Sequence, residues 1–240
     1  MNHKYKRVLL KLSGESLQGA AQFGYNGEAV AEIVEEIAKL QKNGTEIAIV
    51  IGGGNIMRGK SIAGHGVNAA TADYMGMLAT VMNALYLQDV LKTKGIENRV
   101  MTAIATNEVA EPFIRLKALK HLSRGRVVIL AAGTGNPFST TDTAAALKAR
   151  ELDCEVIIKA TKVDGIYNKD PAKHKDAVKY DHITYMDAIT QNLEVMDMTA
   201  FTMCKDSNIP IIVCDILGKD NLKNIALGQK IGTMVDGIKG

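Results

Sequence analysis

Glu46-Ile47-Ala48-Ile49-Val50-Ile51-Gly52-Gly53-Gly54-Asn55 decides the fold, because a run of β-branched and small apolar residues leads straight into three glycines. An unbroken apolar run, rather than an alternating one, suits a strand buried on both faces, as in a parallel sheet covered by helices. Three consecutive glycines lose much backbone entropy on ordering, so turn geometry alone explains them less well than N–H groups offered to an anion. Open α/β sheets bind ligands beyond the carboxyl ends of their strands, which is where this triplet falls.

Working outward, further strands are expected near Arg7 to Lys11, Arg99 to Ala103, Arg126 to Ala131, Glu155 to Ala160 and Ile211 to Asp215. Segments of helical period separate them, the alternation that favours parallel strands joined by crossover helices. Val30, Ile33, Val34, Ile37 and Leu40 share one helix face, with Gly44 placed to end the helix. The helix expected over Ala69 to Leu91 is apolar on more than one face, so it is either buried within one subunit or also used between subunits. Gly165 to Asp187 is rich in Lys, Asp and His and sparse in apolar residues, which suggests an exposed excursion near a ligand mouth.

Composition bounds the function. A chain of 240 residues that is 47% hydrophobic can bury one substantial core, which excludes a disordered or fibrous protein. The net charge of +3 and the lack of a dense Lys/Arg run fit small anionic ligands and argue against nucleic acid as a partner. Cys154, Cys204 and Cys214 are far apart and form no C-x-x-C pair, so neither a disulfide framework nor a zinc site is expected. The apolar stretch after Arg7 is too short for a signal peptide, and no run is long enough to span a bilayer, so a cytoplasmic protein without membrane association is expected.

Three other turns after strands carry chemistry. Lys11-Leu12-Ser13-Gly14-Glu15 offers a cation and a glycine, although an ordinary strand-end turn reads the same way. Ala132-Gly133-Thr134-Gly135-Asn136-Pro137-Phe138-Ser139-Thr140-Thr141-Asp142 gathers hydroxyls, amides and the first N–H groups of a helix, as a phosphate monoester requires. Asp142 could be a first-turn dipole residue or could hold nearby lysines in position. Lys159 to Pro171 offers Lys159 or Lys162 to phosphate, Tyr167 to an adenine face and Asp170 to a ribose or base; a solvated charge cluster is the alternative. The histidines are scattered without metal spacing, and no metal ligands are assigned.

Together, LKLSGE (Leu10 to Glu15), VIGGGN (Val50 to Asn55), DYMGMLATVMN (Asp73 to Asn83), GTGNPFSTTD (Gly133 to Asp142), KATKVDG (Lys159 to Gly165) and VMDMTAF (Val195 to Phe201) give the chain its resemblance to bacterial UMP kinases of the amino-acid-kinase superfamily, from about Lys6 to the C-terminus. No G-x-x-x-x-G-K-[ST] loop is present. The resemblance implies an α/β three-layer sandwich with a mainly parallel central sheet, of the amino-acid-kinase (carbamate-kinase-like) fold. It implies one domain over 1–240, with an acceptor lobe at about 1–155 and an ATP lobe at 156–240.

The same resemblance implies ATP with Mg²⁺, UMP as acceptor, a homohexamer, and UTP as a feedback inhibitor. Lys11, Leu12, Ser13 and Gly14 then resemble the ATP phosphate site, with Gly54 and Arg58 beside it and Thr161, Tyr167 and Asp170 at the adenosine. Gly53, Asp73, Thr134, Gly135, Asn136, Pro137, Phe138, Ser139, Thr140 and Thr141 resemble the UMP site. Lys11, Asp142 and Lys159 resemble the charge-stabilising group. Gly19 to Gly24 matches a segment linked in the family to GTP activation but lacks acidic character, and Gln88 and Lys92 replace basic or histidine residues of some relatives, which argues against a GTP response. Ser139 stands where an aromatic is often found. A phosphate acceptor needs no Ser, Cys or His nucleophile, so direct transfer without a phosphoenzyme is expected, by positioning and charge stabilisation. Phosphorylation of a carboxylate or carbamate, or non-catalytic nucleotide binding, are the competing readings.

Overall fold

The computed structural model describes residues 3–57, 66–193 and 196–238. Its strands are β1 (Arg7–Leu12), β2 (Glu46–Ile51), β3 (Asn98–Thr102), β4 (Glu111–Pro112), β5 (Val127–Ala131), β6 (Val156–Thr161), β7 (Ile166–Tyr167), β8 (Lys179–Tyr180), β9 (His182–Thr184), β10 (Ile211–Asp215) and β11 (Thr233–Asp236). Its helices are α1 (Gly14–Leu17), α2 (Gly27–Lys42), α3 (Ala69–Thr93), α4 (Arg115–Leu122), α5 (Thr141–Glu151), α6 (Tyr185–Thr190), α7 (Met198–Asp206) and α8 (Asn221–Ala226). The six strands expected from apolar runs all form, their ends within one residue of the expected ones.

Among the described residues nine strands make one sheet in the order β4-β3-β5-β2-β1-β6-β10-β11-β9, and β7 and β8 form a separate ribbon. Every pairing in the large sheet is parallel except that of β10 with β11. The first strand of the chain is therefore central, flanked by β2 and β6.

Alternation along β1 divides the core into two layers. Val8, Leu10 and Leu12 join the apolar faces of α2, α3 and α8 on one side of the sheet. Leu9 joins α4, α5, α6 and α7 on the other. The α2 helix starts at Asn26, whose side chain accepts from Ala29 N, and Gly44 follows its end at φ +88°. The three cysteines are free and buried, and burial pushes each thiol up to about 12.

The expectation of one exposed excursion from Gly165 to Asp187 needs correcting at its far end. The β7–β8 ribbon does project, but β9 pairs with β11 at the sheet edge, and Ile183 and Tyr185 are 5% and 1% exposed. Few apolar residues suffice there because β9 spans only three residues, of which Ile183 joins the core.

Candidate active site

Strand register builds the charged centre. Lys11 and Lys159 are direct partners across the parallel β1–β6 pair, so both side chains leave the sheet on the α5 side. The α5 helix starts there, with Thr140 Oγ1 accepting from Asp142 N and Thr143 N, each at 3.1 Å. This start aims Asp142 between the lysines. Lys159 Nζ donates to Asp142 Oδ2 at 3.0 Å, while Lys11 Nζ makes an ion-pair contact with Oδ1 at 2.7 Å. All three side chains are largely buried, between 12% and 16% exposed.

Burial pushes the Asp142 carboxyl up, but the charges and hydrogen bonds of Lys11 and Lys159 outweigh it and hold the group below its ordinary value of 3.8. For Lys159 burial wins: it lowers the ammonium from 10.5, helped by Lys11 and opposed by Asp142. The geometry thus separates the two lysines of the KATKVDG run, because Lys162 is exposed and donates to Gly19 O at 3.1 Å.

Beside this centre two strand-end turns touch. A Cβ on Gly14 would lie 2.6 Å from Gly54 N and from Asn55 Oδ1, so only glycine permits the approach. A Cβ on Gly53 would meet Ala79 Cβ at 2.9 Å and Gly76 O at 3.0 Å, which places the glycine turn against α3. Leu12 is wholly buried, so only its backbone can serve a ligand, and its carbonyl accepts from Gly52 N at 2.9 Å. Ser13 caps α1 through Ser16 N. Arg58 lies outside the described residues.

The loop from β5 to α5 is unusually contorted, with φ of +63° at Ala132, +57° at Gly133, +81° at Gly135 and +62° at Phe138. Non-glycine residues in that region cost on the order of 1 to 3 kcal/mol each and persist only where their surroundings hold them. Ala132 N donates to Thr80 Oγ1 and Phe138 N to Asp73 Oδ2, both at 2.7 Å, so two α3 side chains grip the loop. Asp197, the N-cap of α7, accepts from the hydroxyls of Thr140 and Thr143 and ties the start of α5 to the far half of the chain.

Two cavities adjoin this centre, one through Thr140 and Thr141 next to Asp142 and the other through Lys159. One of about 220 Å³ is lined by Gly53, Gly54, Asp73, Thr134, Asn136 and Ser139, together with Thr140 and Thr141. Gly135 and Pro137 are absent from that lining, and the Phe138 side chain is 80% exposed. The other, of about 520 Å³, is lined by Lys159, Thr161, Tyr167 and Asp170 among others. There Tyr167 donates to Asp164 at 2.7 Å, and Asp170 accepts from Ala172 N at 2.9 Å. A larger cavity of about 580 Å³ opens by Lys4, His182 and Asp236, but none of the glycine turns after β1, β2 or β5 lines it.

Sequence reasoning gave no role to Asn55, Thr80, Asn83 or Asp197. A signal was present for some of them, since Asp73, Gly76, Thr80 and Asn83 recur at three- and four-residue spacing through an otherwise apolar helix.

Residues 6–215 match the sequence model of the amino acid kinase family. The fold superposes on UMP kinase from Bacillus anthracis with a TM-score of 0.95 at 40% identity, covering 98% of this chain and 97% of that one. It is also similar to UMP kinase from Ureaplasma parvum, with a TM-score of 0.89 at 33% identity over 97% and 99% of the two chains. Uridylate kinase from Archaeoglobus fulgidus gives 0.71 at 28% identity over 95% and 99%. With a mainly parallel sheet, a lysine–carboxylate–lysine centre at its carboxyl edge and a family match over most of its length, the chain belongs to the amino acid kinase family.

Proposed function

We propose that this protein is a UMP kinase, moving the γ-phosphoryl group of Mg·ATP to UMP to give UDP and ADP on the cytoplasmic route to pyrimidine nucleotides, CTP included. The observation that carries this reading is the Lys11–Asp142–Lys159 cluster, with one cavity lined by Thr140 and Thr141 beside Asp142 and another, of different lining, reaching Lys159. Two relatives that share the fold over nearly their whole length are UMP kinases.

In this reading the smaller cavity takes UMP. Asp73 faces the ribose, and Gly53 with the hydroxyls and amides from Thr134 to Thr141 surrounds the phosphate. The larger cavity takes adenosine at Thr161, Tyr167 and Asp170. Lys11 to Gly14, Gly54 and Arg58 meet the triphosphate. The two parts of the chain, about 1–155 and 156–240, supply the acceptor and ATP lobes.

Two polyanions must meet end to end, and their repulsion is the main obstacle. Lys11 and Lys159 offset it where charge develops on the transferring group, and each such preorganised donor is worth about 3 to 4 kcal/mol in the transition state. Asp142 keeps two mutually repelling ammonium groups side by side. The acceptor oxygen belongs to a phosphate that is already ionised, so the oxygen–phosphorus bond to UMP forms as the bond to ADP breaks, with no covalent enzyme intermediate. Mg²⁺, when bound, would come with the nucleotide's phosphate oxygens and supply further charge neutralisation there. UTP shares uridine and phosphate with the acceptor and is proposed as a feedback inhibitor; assembly is proposed to be homohexameric.

ADP release, followed with UMP, CMP, N-acetylglutamate and carbamate as acceptors, tests the reading. UMP is expected to be used far better than the others. Preference for a carboxylate or carbamate overturns the assignment, and tight ATP binding without any ADP formation marks a non-catalytic relative.

A further inference from the structure

Two asparagines form a closed amide pair in the core beneath the glycine turn. Asn83 is 0% and Asn55 1% exposed, so neither side chain can fall back on water. Asn83 Nδ2 donates to Asn55 Oδ1 at 2.7 Å, and Asn55 Nδ2 returns a hydrogen bond to Asn83 Oδ1 at 3.1 Å. Each amide has one donor left, and both go to backbone carbonyls. Asn83 donates to Gly52 O at 2.7 Å and Asn55 to Gly24 O at 3.0 Å, while Gly24 N donates back to Asn55 O at 2.9 Å.

Burying two amides is costly unless every donor and acceptor is matched, and apolar side chains of the same shape would fill the space as stably. What amides add is direction. They fix the Gly52 carbonyl and the Asn55 side chain, on either side of Gly53 and Gly54, to Asn83 of α3. Gly53 and Gly54 lie between these fixed points, and both line the smaller cavity. The turn has backbone anchors as well, Gly52 N on Leu12 O and Gly53 O accepting from Ile56 N and Met57 N. Among the described residues the amide pair alone ties it by hydrogen bonds to a side chain of α3, and without that tie three glycines in a row have more freedom to shift.

We propose that Asn55 and Asn83 are positioning residues that hold Gly53 and Gly54 in transfer geometry, and so set kcat without touching either nucleotide. The proposal rests on the UMP kinase reading and adds to it the device that aligns the phosphate turn. A misplacement of about 1 Å in such a site can cost on the order of 100-fold in rate.

The test compares Asn83→Leu and Asn83→Ser with Asn98→Leu. Asn98 is a buried control: it is 1% exposed and donates to Gln88 O near the far end of α3 and to Ile96 O just beyond it, away from the site. The wild type is assayed first with UMP and Mg·ATP, and absence of UDP there defeats the parent reading rather than this one. With an active wild type, both Asn83 variants are expected to lose about 10- to 100-fold in kcat, with KM for UMP and ATP within about threefold. Asn98→Leu should keep kcat even where its Tm falls as far. Amide hydrogen exchange in the free protein gives a second readout, expected to quicken at residues 52–57 in the Asn83 variants alone. Wild-type kcat in Asn83→Ser, a loss carried wholly by KM, or unchanged exchange overturns the proposal. So does failure of both Asn83 variants to fold, which would make the pair a folding requirement.

Discussion

Lys159 is held between opposing influences, and their balance makes the centre titrate in a defined direction. Burial lowers its ammonium from 10.5, and Asp142 opposes the shift. The charged form is therefore disfavoured in the folded protein, so this group's contribution to stability grows as pH rises from its lowered pKa towards 10.5. Asp142 runs the other way: its lowered pKa gives stability that is present above 3.8 and lost as pH falls through the folded value. For catalysis, the alkaline limb of kcat/KM should begin below the ordinary lysine value as Lys159 gives up its proton. Asp142→Asn removes the carboxylate that raises Lys159 while burial and Lys11 remain, so that limb should move to lower pH while kcat drops. A pH–rate profile of the variant checks this, and a limb that stays in place assigns it to another group.

The α3 helix is the element on which the substrate loops converge. Asp73 and Thr80 hold the loop after β5, Asn83 holds the turn after β2, and Gly76 and Ala79 leave room for Gly53. Gly53 and Gly54 should therefore respond differently to a methyl group. Gly53→Ala overpacks the turn against α3 and should cost about 1 to 3 kcal/mol together with activity. Gly54→Ala finds only ordinary contact, its nearest neighbour being Glu15 Cγ at 3.7 Å, and should keep nearly the wild-type Tm. Thermal unfolding of both variants decides it. The contrast also shows what a linear reading can reach. β2 and β10 are legible because unbroken apolar runs need cover on both faces, whereas β4, β7 and β8 are two-residue strands created by their partners. The carboxylate and lysines were legible as residue types, but their meeting depends on the β1–β6 register, a pairing of distant segments. Asn55, Thr80 and Asn83 escaped because their partners are largely backbone groups brought near only by the fold. Asp197 escaped because the hydroxyls it accepts from lie on α5, far back in the chain.

On the scale of the whole molecule, α3 also presents an apolar outer stripe. Tyr74, Leu78 and Met82 recur every four residues and are 44%, 50% and 53% exposed. The proposed homohexamer gives this stripe an occupant in a second copy of the chain. Light scattering on a sizing column should find the wild type as a closed oligomer and Leu78→Glu with Met82→Glu as a smaller species; an unchanged mass would place the contact elsewhere. The central position of β1 carries a different consequence, in time rather than in space. On the ribosome β1 is made first, and β2 soon covers one of its edges. The other edge stays open until β6 has left the exit tunnel. A nascent chain thus bears an uncovered, mostly apolar template through much of its synthesis, and any product that stops short of β6 keeps it for good. Such truncated chains should precipitate or occupy chaperones, and the pairing of Lys11 with Lys159 waits until β6 is made.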